Sequence, residues 1–266
     1  MLRLAVRVAR ADAELVLAEL LELAPGGVEE TEIGDAVIEY AVYGPPGELP
    51  ELPDLKAAAG DALVEISTTE IADDWSERWR AFHRPLVLAG RLSVRPPWEP
   101  AGDTALDVVI DPGQAFGTGA HATTRLCLEL LLESAPGSFA DIGCGSGVLA
   151  IVAAGLGFSP VLALDYDPLA VTAAVHNAAA NNVGLRAGSL DLRTDQVPVC
   201  DLWAANVLAG PLRAWAASQR EVADHVILGG LLRAEASAVA DAFAVHGLRE
   251  TERRERGEWA AVRLRR

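Results

Sequence analysis

The sequence predicts an α/β protein: a large domain with a mostly parallel sheet and helices on both faces, preceded by a small ferredoxin-like α+β domain. Three observations predict it. From about Pro85 short apolar strands alternate with helical stretches, the pattern of a parallel sheet covered on two sides. A glycine turn, Asp141-Ile-Gly-Cys-Gly-Ser-Gly147, follows one such strand and opens a helix, and a second acid, Asp165, closes the next strand. The first 70 residues read in the order β-α-β-β-α-β.

In the small domain, Leu2, Leu4, Val6 and Val8 alternate with Arg3, Ala5, Arg7 and Ala9, the period of a half-buried strand. Asp12 is placed to cap a helix from Ala13 to about Ala24, with Val16, Leu20 and Leu23 on one face, and Pro25-Gly26-Gly27 stops it. Strands are expected near Val28–Thr31 and Ala36–Tyr43, with a Gly34-Asp35 turn between them and a break at Gly44-Pro45-Pro46-Gly47. A short helix near Leu52–Ala59 and a strand at Ala62–Thr68 complete the unit, which is taken as residues 1–70. Residues 71–84 read as a connecting amphipathic helix whose Trp75, Trp79 and Phe82 share one face.

The large domain is then 85–266. Phe139–Ile142, Val161–Leu164, Asp201–Ala205 and His225–Leu228 are its buried strands, with helices near 147–157, 168–182 and 210–223. In such sheets ligands sit at the carboxyl ends of the strands, where the strand order reverses.

Composition narrows the partners. The 266 residues carry 22 Lys+Arg against 38 Asp+Glu, a formal charge of −16, which argues against nucleic acid and leaves a small cofactor or a basic protein. At 51% hydrophobic and 23% charged, the chain can build a real core. Its one lysine, Lys56, leaves nearly all the positive charge to arginine. The three cysteines, Cys127, Cys144 and Cys200, show no metal-ligand spacing, so no zinc site or disulfide scaffold is expected, and a reducing cytoplasm is the default. The start does not fit a secretory signal and no apolar run reaches the length of a membrane span, so a soluble protein is expected.

Three motifs carry chemistry. In the first, Gly143, Gly145 and Gly147 form G-x-G-x-G rather than the dinucleotide G-x-G-x-x-G, and the helix that follows offers free N–H groups. Asp165, 22 residues after Gly143, can accept both ribose hydroxyls of an adenosine ligand, and Asp141 suits a cationic amino-acid group. Together these favour S-adenosylmethionine over NAD. The second is Asp111-Pro-Gly-Gln-Ala-Phe-Gly-Thr-Gly-Ala-His-Ala-Thr-Thr124, a loop running into a helix from about Arg125. Thr123 or Thr124 caps that helix, or the loop touches the cofactor; His121 is a plain polar loop residue or orients a substrate group. The third is Asn206, directly after a strand, either a helix cap or an amide whose carbonyl accepts a hydrogen bond from an attacking amine.

Through these three elements the chain resembles the ribosomal protein L11 methyltransferase family. Phe116-Gly-Thr-Gly-Ala-His-Ala-Thr-Thr124 is similar to its F-G-T-G-x-H-x-T-T signature, Asp141–Gly147 to its cofactor turn, and Asn206-Val-Leu-Ala-Gly-Pro-Leu212 to its N-I-L-A-G-P-L element. The Trp75–His83 helix and Val94-Arg-Pro-Pro-Trp98 also fit, so the resemblance spans nearly the whole chain. It implies a Rossmann-like class I methyltransferase domain and an N-terminal domain that docks ribosomal protein L11, whose amino groups are trimethylated. It also implies cofactor contacts at Thr124, Gly143, Asp165 and Asn206. With the motif readings the expected cofactor set becomes Phe116, Thr118, Thr124, Asp141, Gly143, Gly145, Asp165 and Asn206, and the expected catalytic pair Asn206 and His121. One departure stands out: Leu231-Leu-Arg-Ala-Glu-Ala-Ser237 replaces the family's Ser-Gly-Ile type segment, in a region that helps line the family's cleft. That departure keeps two other readings open, a methyltransferase for another protein or a small amine, and a non-catalytic module that binds an adenosyl ligand.

Overall fold

The computed structural model describes residues 2–13, 16–17, 20, 23–24, 28–34, 36–44, 49–50, 52–70, 84–111 and 121–266. The chain divides into two compact units, Met1–Phe82 and His83–Arg266. The aromatic helix expected over 71–84 lies outside the described residues except for Arg84, as do the stops at 25–27 and 45–47, Phe116 and Thr118.

In the first unit β1 (Leu2–Ala9), β2 (Glu29–Ile33), β3 (Val37–Gly44) and β4 (Leu63–Glu70) form one sheet in the order β2-β3-β1-β4, every pair antiparallel. That is the order of a ferredoxin-like sandwich. The alternation in β1 decides the two faces. Leu4, Val6 and Val8 pack with Ile38, Tyr40, Val16, Leu20 and Leu55 under the helical residues of 13–23 and the helix Leu52–Ala59. Tyr40 Oη donates to Ala13 O at 3.0 Å, satisfying a polar atom that this core buries deeply. On the other face, Arg3 and Arg7 grip Glu39 at 2.5 and 2.7 Å, and Arg7 reaches Glu65 at 2.5 Å. Asp12 ends a 3-10 turn, Arg10–Asp12, just before the first helix; the amides it would cap, 14 and 15, are outside the described residues.

The second unit carries a three-stranded sheet, β5 (Leu86–Leu88), β6 (Leu92–Arg95) and β7 (Leu106–Val109), and a seven-stranded sheet. The latter comprises β8 (Phe139–Ile142), β9 (Val161–Asp165), β10 (Arg186–Ser189), β11 (Leu202–Asn206), β12 (His225–Leu232), β13 (Arg249–Arg256) and β14 (Trp259–Arg265). Its order is β10-β9-β8-β11-β12-β14-β13, parallel from β10 to β12 and antiparallel over the last two pairs. From β8 the chain winds first to one side and then returns to the other at β11. This reversal opens a crevice above β8 and β11.

Helices Ala122–Leu131, Val148–Gly155 and Pro168–Ala180 cover one face, packing Leu126, Ile151 and Ala174 against Phe139 and Ile227. Helices Ala209–Ser218 and Ala236–Ala242 cover the other, where Trp215 meets Trp203 at a tilt and Phe243 edge-on, 5.3 and 5.4 Å between ring centroids. β8, β11 and β12 are buried on both faces, which is why they read as mostly apolar runs without a period-two alternation. Among the described residues no helix is long and apolar enough to cross a membrane, and no group of His, Cys, Asp and Glu is placed to hold a metal ion.

Candidate active site

The glycine turn does what its sequence requires. Leaving β8, the chain doubles back so that Gly143 N and Cys144 N both donate to Leu164 O, at 2.8 and 3.1 Å. Gly143 has φ +71°, and a Cβ there would stand 2.6 Å from Val207 Cγ1; only glycine has both the conformation and the clearance. Gly147 then starts the helix Val148–Gly155.

Asp165, at the end of β9, is tied to this turn. Its Oδ2 accepts from Gly145 N at 2.9 Å and its Oδ1 from Asp167 N at 3.0 Å. A carboxylate oxygen has room for two hydrogen bonds, so each can still accept a hydroxyl. Asp141 is more deeply buried, and its Oδ2 accepts from Ala150 N at 3.0 Å. Burial pushes its carboxyl up to about 7; the Ala150 N–H works the other way, and the nearby Asp165 charge adds to the rise. The same burial, with both acids, pushes the Cys144 thiol up, so it is neutral.

The helix Ala122–Leu131 is capped by His121, not by a threonine. Its Nδ1 accepts from Thr123 N at 3.4 Å and lies 2.8 Å from Thr123 Oγ1. Burial lowers the His121 pKa, so the ring is neutral at pH 7. With Nδ1 accepting, the ring proton belongs on Nε2. The ring meets Trp259 edge-on, 5.0 Å between centroids. Because the histidine supplies the cap, the Thr124 hydroxyl serves a different group. It is fully buried, and its Oγ1 accepts from Asn206 Nδ2 at 3.2 Å. That bond fixes the amide of Asn206, whose Oδ1 is buried with no partner among the described residues. A buried acceptor left open is costly, and this one sits at the end of a central strand in a cavity.

The cavity has a volume of about 630 Å³. It brings together His121, Thr124, Asp141, Gly143, Gly145, Asp165 and Asn206, every expected site residue that falls within the described part of the chain. It also holds residues outside the expected site set. Tyr166, Leu190 and Asp191 follow β9 and β10, Val207, Leu208 and Pro211 follow β11, and Trp259 comes in from β14. Asp191 could have been found, because it follows β10 closely, much as Asp165 ends β9. It is gripped by Arg193, which holds its carboxyl down to about 2. The divergent segment contributes nothing to the lining: the cavity reaches Gly230 but none of 231–237. A second cavity, of about 670 Å³, opens at the opposite, amino ends of β8 and β11, by Ser138 and Asp201, far from these groups.

Comparison with known proteins agrees with this geometry. Residues 51–266 match the family model described as ribosomal protein L11 methyltransferase. The chain is 36% identical over 274 residues to a Burkholderia multivorans ribosomal protein L11 methyltransferase, covering 91% of this chain and 90% of that one. It is 39% identical to the Pelobacter propionicus protein of the same name, over 76% of this chain and 69% of the relative. Among solved structures, the ribosomal protein L11 methylase of Lactobacillus delbrueckii subsp. bulgaricus superposes with a TM-score of 0.60 at 29% identity, over 70% of this chain and 98% of that one.

Proposed function

The chain belongs to the ribosomal protein L11 methyltransferase family, and from that premise we propose that it transfers methyl groups from S-adenosylmethionine to amino groups of ribosomal protein L11, lysine side chains or the N-terminal amine. The observation that carries the reading is the open acceptor of Asn206, Oδ1, buried in the same cavity as two carboxylates that no arginine among the described residues bonds.

The residues fit the cofactor. Asp165 has spare acceptor capacity for two ribose hydroxyls, Asp141 for a cationic amino group, and the glycine turn leaves room for close approach. When bound, S-adenosylmethionine supplies a methyl group already activated by a cationic sulfur. What remains for the protein is alignment. Asn206 Oδ1 accepts an N–H of the incoming amine and so aims the nitrogen lone pair, while Thr124 keeps the amide from turning over. A lysine amine, with a reference pKa of about 10.4, must arrive neutral. The apolar walls of Val207, Leu208, Pro211 and Trp259 favour that form. His121 orients a substrate group; with Nδ1 accepting from Thr123 N it is no general base. Phe116 and Thr118 complete the cofactor contacts by the family motif.

The small N-terminal unit docks the substrate, and the net charge of −16 suits a basic ribosomal protein. The enzyme works in the cytoplasm, where that protein is made. Intact-mass measurement of L11 after incubation with enzyme and S-adenosylmethionine tests the proposal. Successive methyl increments on L11 are expected. An unchanged L11 alongside a labelled protein or small amine from a lysate would transfer the function to another substrate.

A further inference from the structure

β7 is an outer strand of its three-stranded sheet. On its inner side Leu106 N donates to Arg91 O at 3.0 Å and, one residue past its end, Ile110 N donates to Arg95 O at 2.8 Å. Val109 and Asp111 turn the other way, toward an edge where no described strand pairs. Two side-chain amides meet them there. Asn181 Oδ1 accepts from Val109 N at 2.7 Å and its Nδ2 donates to Val109 O at 2.6 Å. Asn177 Oδ1 accepts from Asp111 N at 3.0 Å and its Nδ2 approaches Asp111 O at 3.4 Å. A primary amide offers one carbonyl and one N–H on the same side, as a peptide group does. Two of them four residues apart stand on one helix face. Together they take the place of a further strand.

Asn177 has a further bond. Its Nδ2 donates to Ser146 O at 2.9 Å, inside the glycine turn, and the residue is only 1% exposed. One amide thus joins the turn to the strand end from which the chain runs into Phe116-Gly-Thr-Gly. Asn181 bonds the strand and its own helix, at Asn177 O, but has no bond to the turn among the described residues.

We propose that Asn177 is a positioning residue for methyl transfer, locking the cofactor turn to the strand end at Asp111. The inference rests on the reading of that turn as the cofactor site. Leucine at either position keeps the branched shape and removes the hydrogen bonds. The test is calorimetry with S-adenosylhomocysteine, steady-state kinetics on L11, and melting temperature, for Asn177→Leu, Asn181→Leu and the wild type. Asn177→Leu is expected to weaken ligand binding about tenfold and lower kcat about tenfold. Asn181→Leu is expected to lose as much melting temperature while its ligand affinity stays within about twofold. If affinity falls equally in both variants, in step with melting temperature, or in neither, the amides are fold contacts only and the proposal is wrong. Should Asn177→Leu not fold, hydrogen exchange on the wild type decides: saturating ligand should slow the amides of 109–111, and no slowing overturns the coupling. A wild type that binds no S-adenosylhomocysteine brings down the cofactor reading and this inference with it; binding by the wild type, with equal losses in the two variants, brings down the inference alone.

Discussion

Two carboxylates with little solvent exposure, Glu39 in the small unit and Asp141 in the large one, are treated in opposite ways. Glu39 is 5% exposed and Asp141 1%. Arg3 and then Arg7 hold Glu39 below the usual carboxylate range, against the pull of burial. Asp141 has one backbone N–H and a second acid nearby, and burial raises it to about 7. The difference shows where a chain with 38 acids and 22 basic residues places its arginines. They pair with Glu39 in the small unit and with Asp191 at the cavity wall, and leave Asp141 and Asp165 without an arginine among the described residues, so the cavity keeps an excess of acids that suits a cationic ligand.

The largest expected effect lies beside those acids. Asn206→Ala should cut kcat about 100-fold or more while S-adenosylhomocysteine affinity, read by calorimetry, changes by less than about threefold. Equal losses would make Asn206 a cofactor residue and leave the attacking amine without its acceptor. Next, Asp141→Asn should weaken S-adenosylmethionine binding about tenfold. The pH dependence follows from the raised pKa. As pH falls through about 7 the folded protein takes up a proton that the unfolded chain accepts only near its ordinary value, so ligand-free stability declines as pH rises across that window. Asp141→Asn should flatten this slope and melt higher than wild type at pH 8, while wild-type ligand affinity tightens as pH rises through about 7. An affinity independent of pH would mean that Asp141 does not face the cation.

The scaffold side should respond in the reverse sense. Glu39→Ala should cost about 1–2 kcal/mol in denaturant unfolding, discounted because its arginines are partly exposed, and leave ligand affinity alone. Because its folded pKa is depressed, that contribution is present above the ordinary carboxylate range and is lost as pH falls through the folded value. The smallest effect is expected at Arg193→Ala. This pair is exposed, so the melting temperature should move by no more than about 1 °C, with ligand affinity within about threefold as Asp191 gains freedom at the cavity wall. A large loss of stability there would blur the division between scaffold and cavity acids.

The parts of this arrangement that lie within short stretches of sequence were legible. The glycine turn follows an apolar strand directly and Asp165 and Asn206 end theirs, so spacing alone put them at one crevice. The small unit's faces were written in the alternation of β1. The C-terminal hairpin was not legible: Arg-Glu-Thr-Glu-Arg-Arg-Glu-Arg in β13 has no apolar period, because an edge strand needs charge more than burial. Trp259 went unseen with it, reaching the cavity only through antiparallel pairing with β12. β5, β6, β7 and β10 are three or four residues long, too short for a period to register. Of the two readings of Thr123 and Thr124, the helix cap falls to His121 instead, since cap preference ranks side chains without knowing that Thr124 is claimed by Asn206.

The kink at Gly229-Gly230, where β12 slips register, carries a consequence for redesign. A methyl group added at Gly229 would strike Cys127 Sγ at 2.3 Å and crowd Asn206 Oδ1 at 3.1 Å; at Gly230 it would meet the Val207 carbonyl at 2.5 Å. The cavity floor beside Asn206 is therefore set by close crowding and tolerates no new side chain. Laboratory evolution toward bulkier or differently shaped nucleophiles should accumulate its changes at the walls, Leu208 and Trp259, and leave the floor untouched.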